Sequence, residues 1–170
     1  LQKTLLKWTK TSEKEIKVTG KVYQIKDFLD KKWATRKDIF IDRLASAWLI
    51  RRFIDSKARF VFVSKGTEKA PRGTVPFDMY GSEFTHHGED CTFETFMKAF
   101  DLKDSALQSI AEIVHDIDLK DNKYGRKEAD GIAQIVTGLS QKLKDDNKLL
   151  EKGLEIFDAL YEYYSSSYSV

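Results

Sequence analysis

The stretch Ile41–Asp55 constrains this chain more than any other. At 100° per residue its apolar positions Leu44, Ala45, Ala47, Trp48, Leu49, Phe53 and Ile54 cover far more than one stripe of a helix. A helix of that kind must be buried on most sides, so the rest of the domain has to be built around it. Arg51 and Asp55 stand four residues apart on the remaining polar strip, where they can pair. Asp42 suits the electropositive first turn. Arg43, at the same end, is a cation in an unfavourable place and calls for a carboxylate or an anion beside it. A salt bridge to Asp38 or Asp42 is the plainer of those two readings.

The remaining segments supply what such a helix packs against. Lys32–Arg36, Arg59–Val63, Val75–Met79 and Phe84–His87 read as short strands, with Pro76 suited to a sheet edge. Helices are expected over Phe93–Phe100 (capped by Asp90 or Thr92), Ser105–Asp118, Lys127–Lys142 with Ile132, Ile135, Val136 and Leu139 inward, and Lys148–Tyr164. The expected fold is α+β and helix-dominated, about five helices on a small sheet of three or four strands. Residues 1–31 read as an N-terminal arm or linker, with a short helix over Leu1–Lys10, a strand to Tyr23 and a helix from Ile25. Residues 32–164 form the domain, and 165–170 a frayed tail.

A chain of 170 residues has room for one core. Its 29 basic and 27 acidic residues are well mixed, unlike the clustered basic excess of a nucleic-acid binder. No apolar run approaches the ~20 residues that span a bilayer. One cysteine excludes an internal disulfide and suits a reducing compartment, so a cytoplasmic location is expected, with export left open. The chain opens at Leu1, as a processed or trimmed product would.

Chemistry concentrates in two places. Phe84–Glu94 holds His86, His87, Glu89 and Cys91, the side-chain types that ligate transition metals, although their spacing fits no zinc motif and a polar loop would use the same residues. In an extended run His86 and His87 point to opposite faces, so one site can use only one of them. Cys91 at a helix start would have its thiol pKa lowered by the dipole, or would simply be a small buried residue. The second place is His115–Asp118. Eleven residues after Leu107, Asp118 lies within about 20° of it on the buried stripe, while Asp116 faces solvent. A carboxylate on an apolar face at a helix C-terminus requires a cationic partner. Glu128 also faces inward, at the start of its helix. The two stretches together offer three protein ligands and an open position, and are expected to meet around one cavity.

Trp33-Ala-Thr-Arg36, the helix Ile41–Asp55, His86-His-Gly-Glu-Asp-Cys-Thr-Phe93, His115-Asp-Ile-Asp-Leu-Lys-Asp121, Gly125-Arg126 and Glu128-Ala129 resemble, in order, the C-terminal domain of the ChrB chromate-resistance family. The resemblance implies a bacterial stress-response domain, encoded beside chromate transporters. It also implies a neighbouring regulatory region or a rhodanese-like sulfurtransferase as partner, neither identifiable in this chain. The expected function is a metal-supported site that binds, senses or transforms chromate or a similar small oxyanion, without direct contact to nucleic acid or membrane. His86, His87, Glu89, His115 and Asp118 are the expected ligands of a divalent transition metal, zinc, iron or manganese. Arg36 and Arg43 would contact the anion, and Cys91 would be a ligand or redox-active thiol. Two alternatives are a metal-dependent hydrolase with Glu128 or Glu89 as base, and a non-catalytic docking module.

Overall fold

The computed structural model describes residues 21–167, so the expected helix over Leu1–Lys10 lies outside the described residues. Three parallel strands form the sheet, in the order β2-β1-β3: β1 (Lys32–Arg36), β2 (Arg59–Val63) and β3 (Thr74–Pro76). Trp33, Ala34 and Thr35 of the central strand are buried, because elements cover both faces of β1. Helix α1 (Ile41–Leu49) leaves β1 and returns the chain to β2, a βαβ crossover. The connection from β2 then passes to the other side of β1, so the chain reverses direction across the sheet at β1.

The expected fourth strand does not form. Phe84 makes one isolated parallel bridge to Phe77, and His87 and Asp90 pair across a tight turn. Asp78 at φ 45° and Gly88 at φ 59° bend the backbone too sharply for a ladder there. No strand reaches Tyr23 either. That segment carries a 3₁₀ turn over Ile25–Phe28, and its Tyr23 and Phe28 rings pack against Phe84 and Phe100.

All of α1 except Arg43 is buried, as its apolar pattern demands. It continues as a π-helical turn over Ile50–Ile54, closed by Asp55 N–H donating to the Ile50 carbonyl at 2.7 Å. The wider turn turns Asp55 away from Arg51, so the expected i,i+4 pair is absent. The buried Asp55 carboxylate instead accepts the amides of Asp30, Lys31 and Lys57 and the indole N–H of Trp33. Burial pushes its pKa up, but these donors outweigh it and hold the carboxyl below its ordinary value. Arg51 donates to the Ala58 carbonyl at 2.7 Å and lies over the Phe60 ring.

Helices α2 (Thr92–Ala99), α3 (Ser105–Leu119), α4 (Glu128–Leu143) and α5 (Asp146–Ser167) complete the domain. α5 extends through Ser167, past the expected fray point. Ile135 is exposed, since α4 buries only Ala129, Ile132 and Val136. No described helix is long and apolar enough to cross a membrane.

α5 crosses α1 at Gly153, where an added Cβ would sit 2.3 Å from Cδ1 of the buried Leu44. Gly153→Ala should therefore cost about 1–3 kcal/mol in chemical denaturation, outweighing the gain of up to ~1 kcal/mol in helix propensity.

Candidate functional site

Four elements converge at the carboxyl ends of β1 and β3. The chain leaving β3 presents Asp78, the start of α1 presents Asp42 and Arg43, the turn before α2 presents His86, and the end of α3 presents Asp118. The His86 Nε2–H is shared between two carboxylates, at 2.9 Å from Asp42 Oδ2 and 3.1 Å from Asp118 Oδ2. Arg43 Nε donates to Asp78 Oδ2 at 2.6 Å, so its partner is neither Asp38 nor Asp42. Asp42 also accepts the amides of Thr92 and Phe93, each at 2.9 Å, and thereby caps α2 from another helix. Ligand atoms of Asp42, Asp78 and His86 all lie within 4.8 Å of one another. Arg36, at the end of β1, has its Nε buried without a hydrogen-bond partner, and its charge acts on Asp78.

A second cluster lies on the other side of the same helix start. Cys91, Glu94 and His115 are all buried, with ligand atoms again within 4.8 Å of one another. His115 Nδ1 is 2.7 Å from Glu94 Oε2, and its Nε2 is 3.1 Å from Asp121 Oδ2. Glu94 also accepts the amide of Cys91 and, through Oε1, the Tyr124 hydroxyl at 3.1 Å. The two chemistry-bearing stretches therefore meet as expected, with His86 Nε2 3.1 Å from Asp118 Oδ2, and Cys91 and His115 form a second close group.

The other candidates fall elsewhere. His87 Nε2 bonds the Glu83 carbonyl at 2.8 Å. Glu89 is 89 % exposed and its partner is Lys123. Glu128 accepts from the Tyr164 hydroxyl and from Arg126. Asp116 is buried rather than solvated, because the loop after α3 folds back and donates the Tyr124 and Arg126 amides to it. Asp118 is paired as expected, though partly exposed.

Electrostatics separate the two clusters. Hydrogen bonds to Asp118 and Asp42 raise the His86 pKa to about 10 despite some burial. Burial raises Asp78 in spite of Arg43. Burial, with Asp42 and Glu94 alongside, pushes the Cys91 thiol up. Burial opposes a charge on His115, but Glu94 and Asp121 outweigh it and raise its pKa.

A folded pKa above the ordinary 6.5 means that His86 contributes stability fully below that value and loses it as pH climbs through about 10. Ion-free protein should thus keep a protonated His86 at pH 8 by NMR titration and lose stability between pH 8 and 10. Titration of His86 near its ordinary value would show that the double carboxylate clamp does not form in solution.

Asp42, Asp78, Glu94 and Asp121 were not singled out from the sequence as site residues. Asp42 read as a favourable first-turn charge. The start of α2 gave no signal for Asp42, because Asp90 or Thr92 read as its cap; the helix instead begins at Cys91, whose amide Glu94 accepts, while Asp42 accepts those of Thr92 and Phe93.

The fold and these clusters define a helix-dominated α+β domain with histidine–carboxylate centres beside the carboxyl end of a small parallel sheet. The ChrB C-terminal domain matches residues 33–164, and the chain belongs to that family. It is 34 % identical over 137 residues to Protein ChrB of Cupriavidus metallidurans (strain ATCC 43123 / DSM 2839 / NBRC 102507 / CH34), covering 80 % of this chain and 41 % of that protein. The chain thus spans about two fifths of the length of that curated relative. No solved structure matches the chain.

Proposed function

We propose that the Asp42–Asp78–His86–Asp118 cluster is a divalent-metal site that binds a small tetrahedral oxyanion, chromate by family association, in a domain that serves chromate resistance. The observation that carries this reading is the pair of carboxylates, Asp42 and Asp118, on the His86 Nε2, with an Asp78 oxygen within 4.8 Å of the Asp42 and His86 ligand atoms, at the carboxyl ends of parallel strands. Ligands in such sheets bind outside those ends, where the chain changes direction across the sheet.

The donor set fits a metal. Three carboxylates and one imidazole make a hard, oxygen-rich set that suits manganese or iron(II) better than a thiolate zinc site. An ion between Asp42 and Asp118 would replace the Nε2 proton of His86, so binding competes directly with protonation. Asp78 holds Arg43 through Oδ2, while Oδ1, 3.5 Å from the Thr92 hydroxyl, has lone-pair capacity left for an ion. Metal would supply Lewis acidity and positive charge at this point.

Charge favours an anion once metal is bound. With His86 protonated, the three carboxylates are balanced by His86, Arg43 and Arg36. A divalent ion with neutral His86 leaves one net positive charge. Arg36 is the anion contact that its unpaired Nε supports, since a guanidinium presents parallel donors to tetrahedral oxyanions. Arg43 is committed to Asp78 and acts as a positioning charge. Neither Glu128 nor Glu89, the bases named for the hydrolase alternative, bonds to this cluster.

Calorimetry on chelator-treated protein tests this reading. Manganese should bind, and chromate or sulfate should bind after the metal but far more weakly before it. Asp118→Asn should weaken metal binding, and Arg36→Ala should weaken anion binding at least tenfold while leaving metal binding intact. Anion affinity independent of metal and of Arg36 would sink the proposal.

A further inference from the structure

We propose that Cys91, Glu94 and His115 form a second, buried three-ligand metal centre, separate from the oxyanion site, that takes a zinc-like ion and fastens α2 to α3 and to the loop after it. This does not rest on the first site binding metal. Its ligands are a thiolate, a carboxylate and an imidazole, a softer set that suits zinc or cobalt(II).

Distance is the first argument. Ligand atoms around one zinc-like ion lie about 2.0–2.3 Å from it and so within roughly 4.6 Å of one another. The sulfur, a carboxylate oxygen and Nδ1 of these residues lie within 4.8 Å of one another, so a small contraction completes the set.

The outer partners are the second and independent argument. A metal-bound histidine characteristically donates its other ring N–H to a carboxylate, and a ligating carboxylate is itself hydrogen-bonded. Both features are present. With Nδ1 facing the cluster, Nε2 of His115 meets Asp121 at 3.1 Å, and the Glu94 oxygen turned away from His115 accepts the Tyr124 hydroxyl at 3.1 Å. The Cys91–Glu94 capping box brings the sulfur beside the carboxylate, and an ion would use that preformed placement.

Charge is the third. A divalent ion with one thiolate, one carboxylate and a neutral imidazole is neutral overall, which suits a site with all three ligands buried. On binding, the Cys91 thiol would give up its proton to solvent, so uptake strengthens as pH rises. The tether is structural, since Cys91 and Glu94 open α2 and His115 stands in the last turns of α3.

Cobalt(II) added to the full chelator-treated chain is the decisive probe, because Cys91 is its only cysteine. Wild-type protein should develop a thiolate-to-cobalt charge-transfer band in the near ultraviolet, with a raised melting temperature. Cys91→Ser should abolish the band, and Tyr124→Phe should weaken cobalt affinity about tenfold by removing an outer partner. Asp118→Asn, which touches only the oxyanion site, should leave the band intact. Cobalt uptake without a thiolate band, or no uptake at all, would overturn the second centre. A band unaffected by His115→Gln would assign the sulfur contact to adventitious binding and overturn it equally.

Discussion

Replacing Asp42 with alanine should cost about 3–5 kcal/mol of stability, the range for removing one partner of a buried charged network. The carboxylate is 3 % exposed and accepts three donors: the amides of Thr92 and Phe93 and the imidazole of His86. Alanine would leave both amides unpaired at a buried helix start, each costing about 1–3 kcal/mol. It would also leave His86 with Asp118 alone. Urea denaturation should show a lower midpoint with an unchanged slope. Asp42→Asn separates the two roles of this residue. Its amide oxygen still accepts a hydrogen bond and keeps the shape, so the stability loss should fall by at least half, while the anionic ligand is gone. A loss below ~1 kcal/mol in the alanine variant would show that α2 finds other partners for its first amides.

Asp42 also marks where sequence reasoning reached and where it stopped. Its own helix was legible, because a segment apolar on nearly all sides can only be central. Asp118 was legible too, because a carboxylate on an apolar stripe must meet a cation. Its partner His86 came from a stretch already marked by its ligand-type side chains. Asp42, by contrast, was locally satisfied as an acidic residue in an electropositive first turn, so nothing in the local pattern demanded a distant role. Only the three-dimensional approach of the α1 and α2 starts reveals that it caps α2.

The same limit explains the other differences. Asp78 depends on a left-handed backbone at φ 45° directly after a strand, which a period-two pattern extends straight through. Asp116 read as solvated because helix phase says nothing about a loop that folds back over the helix end. One π turn, invisible in the apolar pattern, was enough to break the expected Arg51–Asp55 pair. The two ligand-rich stretches were rightly expected to meet. Their division into two pairs follows from which side of the α2 start each faces, and helical phase within either stretch does not fix that.

Trp48→Ala should destabilise the domain by about 3–5 kcal/mol, the usual cost of truncating a buried aromatic. Trp48 is 1 % exposed and lies where α1 meets α2 and α5. Its ring stacks at 5° on Phe93, 6.4 Å between centroids, and meets Phe53, Phe157 and Tyr161 at 5.7–5.9 Å between centroids. Those neighbours belong to different elements and are themselves held by packing, so they can collapse only partly into the space, and residual volume is what makes such truncations costly. The lost hydrogen bond matters less. The indole N–H donates to Asp158 at 2.8 Å, but that carboxylate is partly exposed and keeps Arg52 at 2.6 Å. Trp48→Phe should therefore recover more than half of the loss, since it restores aromatic contact without the N–H. Because Phe93 shares its amide with Asp42, a double variant with Asp42→Asn should fall short of additivity, as neighbours that share a partner do. A loss below about 1 kcal/mol for Trp48→Ala would show that α5 can close over α1 without the indole.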